Sequence, residues 1–264
     1  MSSTIRKEAS AEQYDREYYL HQCSGFVEYD SLVENLYLPI FPHHIYQEAR
    51  QLGLSNSSLQ ADKLMLDIGC GRGEMLALYA AQGWLTVGLD FSFDALTISK
   101  ELYTKLPPEV AARISLVCVD AKRLCFEDNS VDVVLMLDFV EHVPQNELKK
   151  IMADAYRVLR PGGILIVHTQ PTVNFIKYGQ HIYRLLNKLT GRPVPALISF
   201  ESEERIARHC NIHSKKSLEA AVQSFPNHKV YSNFSVNTGL LKKLLLKTGL
   251  INYLTRNLWV LGYK

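Results

Sequence analysis

Leu66-Asp67-Ile68-Gly69-Cys70-Gly71-Arg72-Gly73-Glu74 is the stretch whose spacing decides the fold. It leaves a short apolar segment, residues 63–69 (KLMLDIG), which reads as a buried strand, and enters a helical pattern over 74–81 that Gly83 ends. Glycines in such a turn let backbone come close to a ligand and supply unusual dihedrals. The start of the following helix offers N–H groups to an anion. A dinucleotide turn needs G-x-G-x-x-G, with its third glycine three positions after the second. Counting from Gly71, that position is Glu74, so the pyrophosphate fingerprint fails. The pattern is D-x-G-x-G-x-G, with an acid two positions before the first glycine.

Outward from this turn, strand and helix patterns alternate. Residues 84–90 (WLTVGLD), 114–120 (ISLVCVD), 131–138 (VDVVLMLD) and 164–169 are apolar strand candidates. Helical patterns cover 92–105 and 145–159, and an Arg160-Pro161-Gly162-Gly163 turn precedes the fifth strand. Continuous apolar strands alternating with helices predict an α/β fold with a parallel sheet covered on both faces. Further on, 214–225 reads as a helix, 228–235 and 258–263 as weaker strands, and 238–249 as a basic helical stretch carrying Lys242, Lys243 and Lys247.

In order and spacing, residues 63–171 resemble the class I S-adenosylmethionine-dependent methyltransferases, within them the type 11 and ubiquinone-pathway small-molecule enzymes. The resemblance implies a Rossmann-like, seven-stranded, mostly parallel sheet of order 3-2-1-4-5-7-6 with its last strand antiparallel. It implies S-adenosylmethionine as cofactor, with the glycine turn against the methionine part at Asp67, Gly69, Cys70, Gly71 and Gly73. The acid ending the second strand, Asp90, followed by Phe91, would take the ribose hydroxyls, since a carboxylate accepts two hydroxyl hydrogen bonds at once. Asp120 with Ala121 would mark the adenine end, and Leu137-Asp138-Phe139 the end of the fourth strand that faces the acceptor. The segment 157–163 (RVLRPGG) also matches. No base or second thiol adjoins Cys70, so it is read as a backbone contributor.

Asp138, Glu141 and His142 have i, i+3, i+4 spacing and would share a face if helical. Three readings stay open: a structural start to a helix, a general base at His142, or a divalent-metal trio like that of the ubiquinone-pathway O-methyltransferases. The preferred reading has no metal. His168, closing the fifth strand, is the second candidate base or a satisfied histidine in the cleft wall.

Ligands of open α/β sheets sit beyond the carboxyl ends of the strands, so the remaining chain must build the acceptor pocket. The organisation expected is an aromatic cap over 1–60, the cofactor core at 61–171, an acceptor-binding insertion at 172–213, and the rest of the sheet at 214–264. The cap carries Tyr14, Tyr18, Tyr19, Phe26, Tyr29, Tyr37 and Phe41. The insertion combines Phe175, Tyr178, His181, Tyr183 and Phe200 with Lys177, Arg184, Lys188 and Arg192. Its 174–189 segment reads as a basic amphipathic helix, either a lid over the acceptor or a peripheral contact with a membrane surface.

The net charge of +2 hides an asymmetry: residues 1–171 balance to −8 and 172–264 to +10. A basic half meets phosphates, carboxylates or anionic headgroups, or is merely solvated. A pI near 8.2 and the absence of any RNA-binding signature argue against a nucleic-acid partner. Five scattered cysteines without a C-x-x-C pair argue against a disulfide framework or zinc cage and suit a cytoplasmic protein. The expected reaction is in-line methyl transfer to an oxygen of a small-molecule, glycan or lipid-linked acceptor. Nitrogen or carbon acceptors, a nicotinamide-dependent oxidoreductase and a non-catalytic cofactor-binding module are the alternatives. Oligomeric state is not legible.

Overall fold

A computed structural model describes residues 11–23, 44–55, 63–189, 191, 193, 209–232 and 251–264. Its centre is one seven-stranded sheet of order β3-β2-β1-β4-β5-β7-β6. The strands are β1 (Leu64–Ile68), β2 (Leu85–Asp90), β3 (Ile114–Cys118), β4 (Val131–Leu137), β5 (Leu159–Thr169), β6 (Asn227–Tyr231) and β7 (Leu258–Tyr263). Strands β1 to β5 pair in parallel, whereas β7 runs antiparallel to both β5 and β6. This is the predicted order and hand of pairing.

Burial along the strands follows their place in the sheet. The central β4 and β1 are apolar at nearly every position because helices cover both faces, while the edge strand β3 is half open to solvent. Alternate residues feed two cores. Met65, Val133, Leu135, Ile164 and Ile166 pack against α1 (His44–Ser55), α2 (Glu74–Ala80) and α3 (Phe93–Tyr103). Leu66, Ile68, Val134, Met136, Leu165 and Val167 pack against α5 (Gln145–Val158) and α7 (Lys215–Ala221). A short α4 (Pro108–Ala111) leads into β3, α6 (Gln180–Leu189) follows a π-helical turn at Phe175–Gly179, and α8 (Ile251–Leu254) precedes β7.

The sequence explains several boundaries. Ser92 starts α3 by accepting from the Ala95 N–H at 3.1 Å, and Ser214 with Ser217 forms a capping box at α7. One expectation is corrected. Residues 160–163 do not form a separate turn before β5, for the strand already begins at Leu159. Its register shifts between Val131 and Val133, and Gly162, at φ +83°, donates to the carbonyl of Lys264 at 2.8 Å. The glycines bulge the strand against the chain terminus rather than break it. The basic stretch 238–249 and the cap residues Phe26, Tyr29, Tyr37 and Phe41 lie outside the described residues, as do Arg192 and Phe200 of the insertion. No helix among the described residues is long and apolar enough to cross a membrane.

Candidate active site

The carboxyl ends of β1 to β5 open into a cavity of about 460 Å³. Its floor begins at the turn after β1, where Gly69, Gly71 and Gly73 all have positive φ. At Gly69 the reason is contact: a Cβ would stand 2.6 Å from Cδ2 of Phe139, so only glycine lets the β1 and β4 turns meet. A Cβ on Gly73 would run into the Tyr103 hydroxyl and Ser99 Oγ of α3.

Asp90 is the best-defined polar group of the floor. It is 5% exposed and lines the cavity. Its Oδ2 accepts from the Gly71 N–H at 2.9 Å and its Oδ1 from the Ser92 N–H at 2.9 Å. Burial pushes its carboxyl up to about 6, while the N–H groups of Ser92, Gly71 and Phe91 pull the other way. It is therefore largely ionised at neutral pH. Gly69, Cys70, Phe91, Asp120, Ala121, Asp138 and Phe139 also line the cavity. Gly71 sits behind it as the donor to Asp90. Asp67 lies buried beneath the turn, outside the lining, where burial, then Glu74 and Asp90, push its carboxyl up to about 8. Asp120 is half exposed and pairs with Lys122 Nζ at 3.2 Å.

The segment after β4 is not the helix that would have put Asp138, Glu141 and His142 on one face. Only Val140–His142 forms a turn, of the 3₁₀ type, and Asp138 takes φ +51°. The three side chains consequently diverge. Asp138 Oδ1 is 2.7 Å from His168 Nδ1, Glu141 accepts from the Thr169 hydroxyl at 2.9 Å, and His142 Nδ1 is 2.7 Å from the Tyr14 hydroxyl. Burial, with Asp138 beside it, pushes the Glu141 carboxyl well above the usual carboxylate range. His142 and Glu141 line the cavity. His168 does not: it is fully buried on β5 with its ring 4.7 Å from that of Trp259.

A histidine that sequence reasoning missed completes this end. His209 lines the cavity with its ring 4.7 Å from that of His142. Candidate ligand atoms of Glu141, His142 and His209 lie within 4.8 Å of one another. Two imidazoles and a carboxylate suit a borderline divalent cation, and Asp138 is not part of that set. His209 begins the described segment 209–232. Asn211 holds the start of that segment by donating from its backbone N–H to the Glu141 carbonyl at 3.0 Å and from its side chain to the Val143 carbonyl at 3.0 Å. No motif surrounds His209 in the sequence, so no signal pointed to it. Phe175, Tyr178 and Tyr183, expected at the acceptor, are not among the lining residues.

The N-terminal arm adjoins this end through Tyr14 and covers the cavity beside it. Tyr14, Tyr18 and Tyr19 line the cavity, and the Tyr14 ring lies 5.4 Å from that of Phe91. Three anchors fix the arm. Ser92 Oγ donates to the Tyr14 carbonyl at 2.6 Å, Arg16 pairs with Glu101 at 2.7 Å, and Arg72 donates to the Tyr19 carbonyl at 2.9 Å. Arg72 is 2% exposed and ion-paired with Glu74 at 2.6 Å. Burial works most strongly against its charge, but Glu74, Cys23 and Tyr46 together hold the guanidinium above its ordinary pKa. Arg72 is the residue between two glycines of the turn, and no local pattern signals that it ties the arm down.

A seven-stranded 3-2-1-4-5-7-6 sheet with its cavity at a glycine turn and an acid after β2 defines a class I methyltransferase fold. Residues 66–167 match the family described as "Methyltransferase domain", in agreement with that fold. The chain is 30% identical over 161 residues to a sterol 4-C-methyltransferase of Caenorhabditis elegans, covering 61% of this chain and 43% of that one. It is 32% identical over 135 residues to a demethylmenaquinone methyltransferase of Oceanobacillus iheyensis, covering 49% and 54%. The chain thus spans about half the length of these curated relatives. Among solved structures, phosphoethanolamine N-methyltransferase 2 of Haemonchus contortus, in complex with phosphomonomethylethanolamine and S-adenosylhomocysteine, superposes with a TM-score of 0.58. That match has 18% identity and covers 95% of this chain and 60% of the other, which speaks for the fold alone.

Proposed function

We propose that this protein transfers a methyl group from S-adenosylmethionine to an oxygen of a small-molecule, glycan or lipid-linked acceptor. The observation that carries this is Asp90: a buried, largely ionised carboxylate at the end of β2, facing a cavity floored by the glycine turn. Asp90 would hold the ribose hydroxyls, Gly69 and Cys70 the methionine part, and Asp120 with Ala121 the adenine end. A dinucleotide fits less well. Glu74 presents a carboxylate at the first helical position, where a pyrophosphate needs close, uncharged backbone.

The cofactor supplies an electrophilic methyl group on a sulfonium. The chain supplies orientation and exclusion of water: the tyrosines of the arm cover the cavity and shield it. His142 takes the acceptor's hydroxyl proton, its ring fixed by the Tyr14 hydroxyl at 2.7 Å. Asp138 and His168 brace the end of β4 against β5. That histidine–hydroxyl pair on the cavity wall favours oxygen as the acceptor atom, whereas the names of two of the similar proteins specify a carbon and a nitrogen acceptor.

Calorimetric titration with S-adenosylhomocysteine and with NAD tests the cofactor assignment. Binding of the first and silence toward the second is expected, and the reverse would overturn it. Incubation with radiolabelled methyl donor and candidate acceptors, with the product located by mass and NMR, tests transfer and the atom methylated.

A further inference from the structure

Eight large apolar side chains are exposed among the described residues, and five of them belong to one patch. Tyr178, Ile182, Leu185 and Leu189 are 52%, 40%, 58% and 74% exposed. Their spacing of four, three and four residues makes a continuous stripe along the π-helical turn and α6. Tyr253 of α8, 41% exposed, extends it, its ring 5.6 Å from that of Tyr178. The helix is docked by its other side: Ile176 and Gly179 are buried, with Gly179 against the Tyr253 carbonyl. None of residues 172–189 lines the cavity, so the stripe faces away from it.

Charge identifies what the stripe meets. At about 100° per residue, Lys177, Arg184 and Lys188 fall together on one flank of the stripe. The sequence holds no Asp or Glu between Asp154 and Glu201. A second copy of the chain on this face would set like charges against each other. An anionic bilayer surface would satisfy both features, taking apolar side chains at the acyl boundary and cations among the headgroups. We propose that residues 175–189 are a membrane-docking face for an anionic lipid surface.

The face is coupled to the cavity wall. Just ahead of the π-helical turn, Thr172 donates from its backbone N–H to the carbonyl of Arg256 at 3.0 Å, and Arg256 lines the cavity. Docking would therefore hold the acceptor end of the site near the lipid surface. This last step rests on the methyltransferase reading and makes a membrane-resident acceptor its substrate class.

The test is cosedimentation of the full chain with vesicles of phosphatidylcholine alone and of phosphatidylcholine mixed with phosphatidylglycerol. Three cations near the surface predict a preference for the anionic vesicles on the order of a hundredfold, weakened by salt. The exposed pair Leu185→Glu and Leu189→Glu should abolish sedimentation while leaving thermal melting and S-adenosylhomocysteine affinity unchanged. Lys177→Glu with Lys188→Glu should erase the lipid preference. The proposal fails if the chain ignores both vesicle types, or if the leucine variants still sediment. It also fails if those variants abolish a dimer in solution, which would assign the stripe to a second copy. Vesicle binding without S-adenosylhomocysteine binding would sink the methyltransferase reading and leave this one standing.

Discussion

The ionisation of Asp90 makes affinity for S-adenosylhomocysteine depend on pH in a calculable way. Its carboxyl titrates at about 6, raised by burial against the pull of three backbone N–H groups. Ribose hydroxyls donate to the carboxylate and not to the protonated acid. With a midpoint near 6, about nine-tenths of the groups are ionised at pH 7 and about one-tenth at pH 5, so affinity should fall about tenfold, or 1.36 kcal/mol. Unfolding does not produce this loss. A carboxyl whose pKa is higher in the folded chain than in the unfolded one binds extra protons when native, so this group favours the fold at low pH. Calorimetric titrations at half-unit intervals between about pH 5 and pH 8, each checked for intact thermal melting, provide the measurement. Asp90→Asn should bind about 10- to 150-fold more weakly at pH 7, the worth of one charge-assisted hydrogen bond, and show no dependence on pH. Affinity that is flat across this range in the natural protein, or that rises as pH falls, would refute the assignment of Asp90 to the ribose.

Asp67 gives a stability signature of the same sign over a wider window. Its carboxyl moves from the ordinary 3.8 to about 8 on folding, through burial first and then Glu74 and Asp90, so stability should decline as pH rises from about 4 to about 8. Asp67→Asn should melt like the natural protein near pH 4 and gain up to about 6 kcal/mol above pH 8, and a difference in melting temperature independent of pH would contradict this. Arg72→Ala leaves Glu74 buried without its cation and unties the Tyr19 carbonyl. A loss of about 3–5 kcal/mol is expected, read as a melting temperature lower by roughly 10 °C. His142→Gln should lower kcat about a hundredfold with little change in KM, and Tyr14→Phe should lower it less. Equal activity of both variants would remove His142 from the chemistry. Activity should survive EDTA, because alignment and desolvation carry much of the step. Loss on chelation, restored by a divalent ion, would assign an ion to Glu141, His142 and His209.

Legibility varied along the chain in a regular way. The strands were readable because parallel strands covered on both faces must be apolar throughout, as Val131 to Leu137 shows. The glycine turn and Asp90 were readable because the turn needs left-handed backbone and the acid ends its strand. Where two outcomes share one pattern, spacing alone does not decide between them. Asp138, Glu141 and His142 have helical spacing, yet Asp138 is left-handed and reaches His168 across the β4–β5 pair. Residues 160–163 look like a turn, yet they bulge a strand because the C-terminal residue pairs with them.

The sequence by itself determined the α/β order, the glycine turn and the acids after β2 and β3, since each depends on local dihedrals or on burial period within a few residues. Only the tertiary structure decided that His209 joins His142, that Arg72 holds the arm at Tyr19, that His168 is buried away from the cavity, and that Ile182, Leu185 and Leu189 face solvent. Each of the first three is a contact between segments far apart in sequence, and local pattern carries no information about such pairings. The last depends on which face of a helix its neighbours cover, and an apolar stripe looks the same in sequence whether covered or bare.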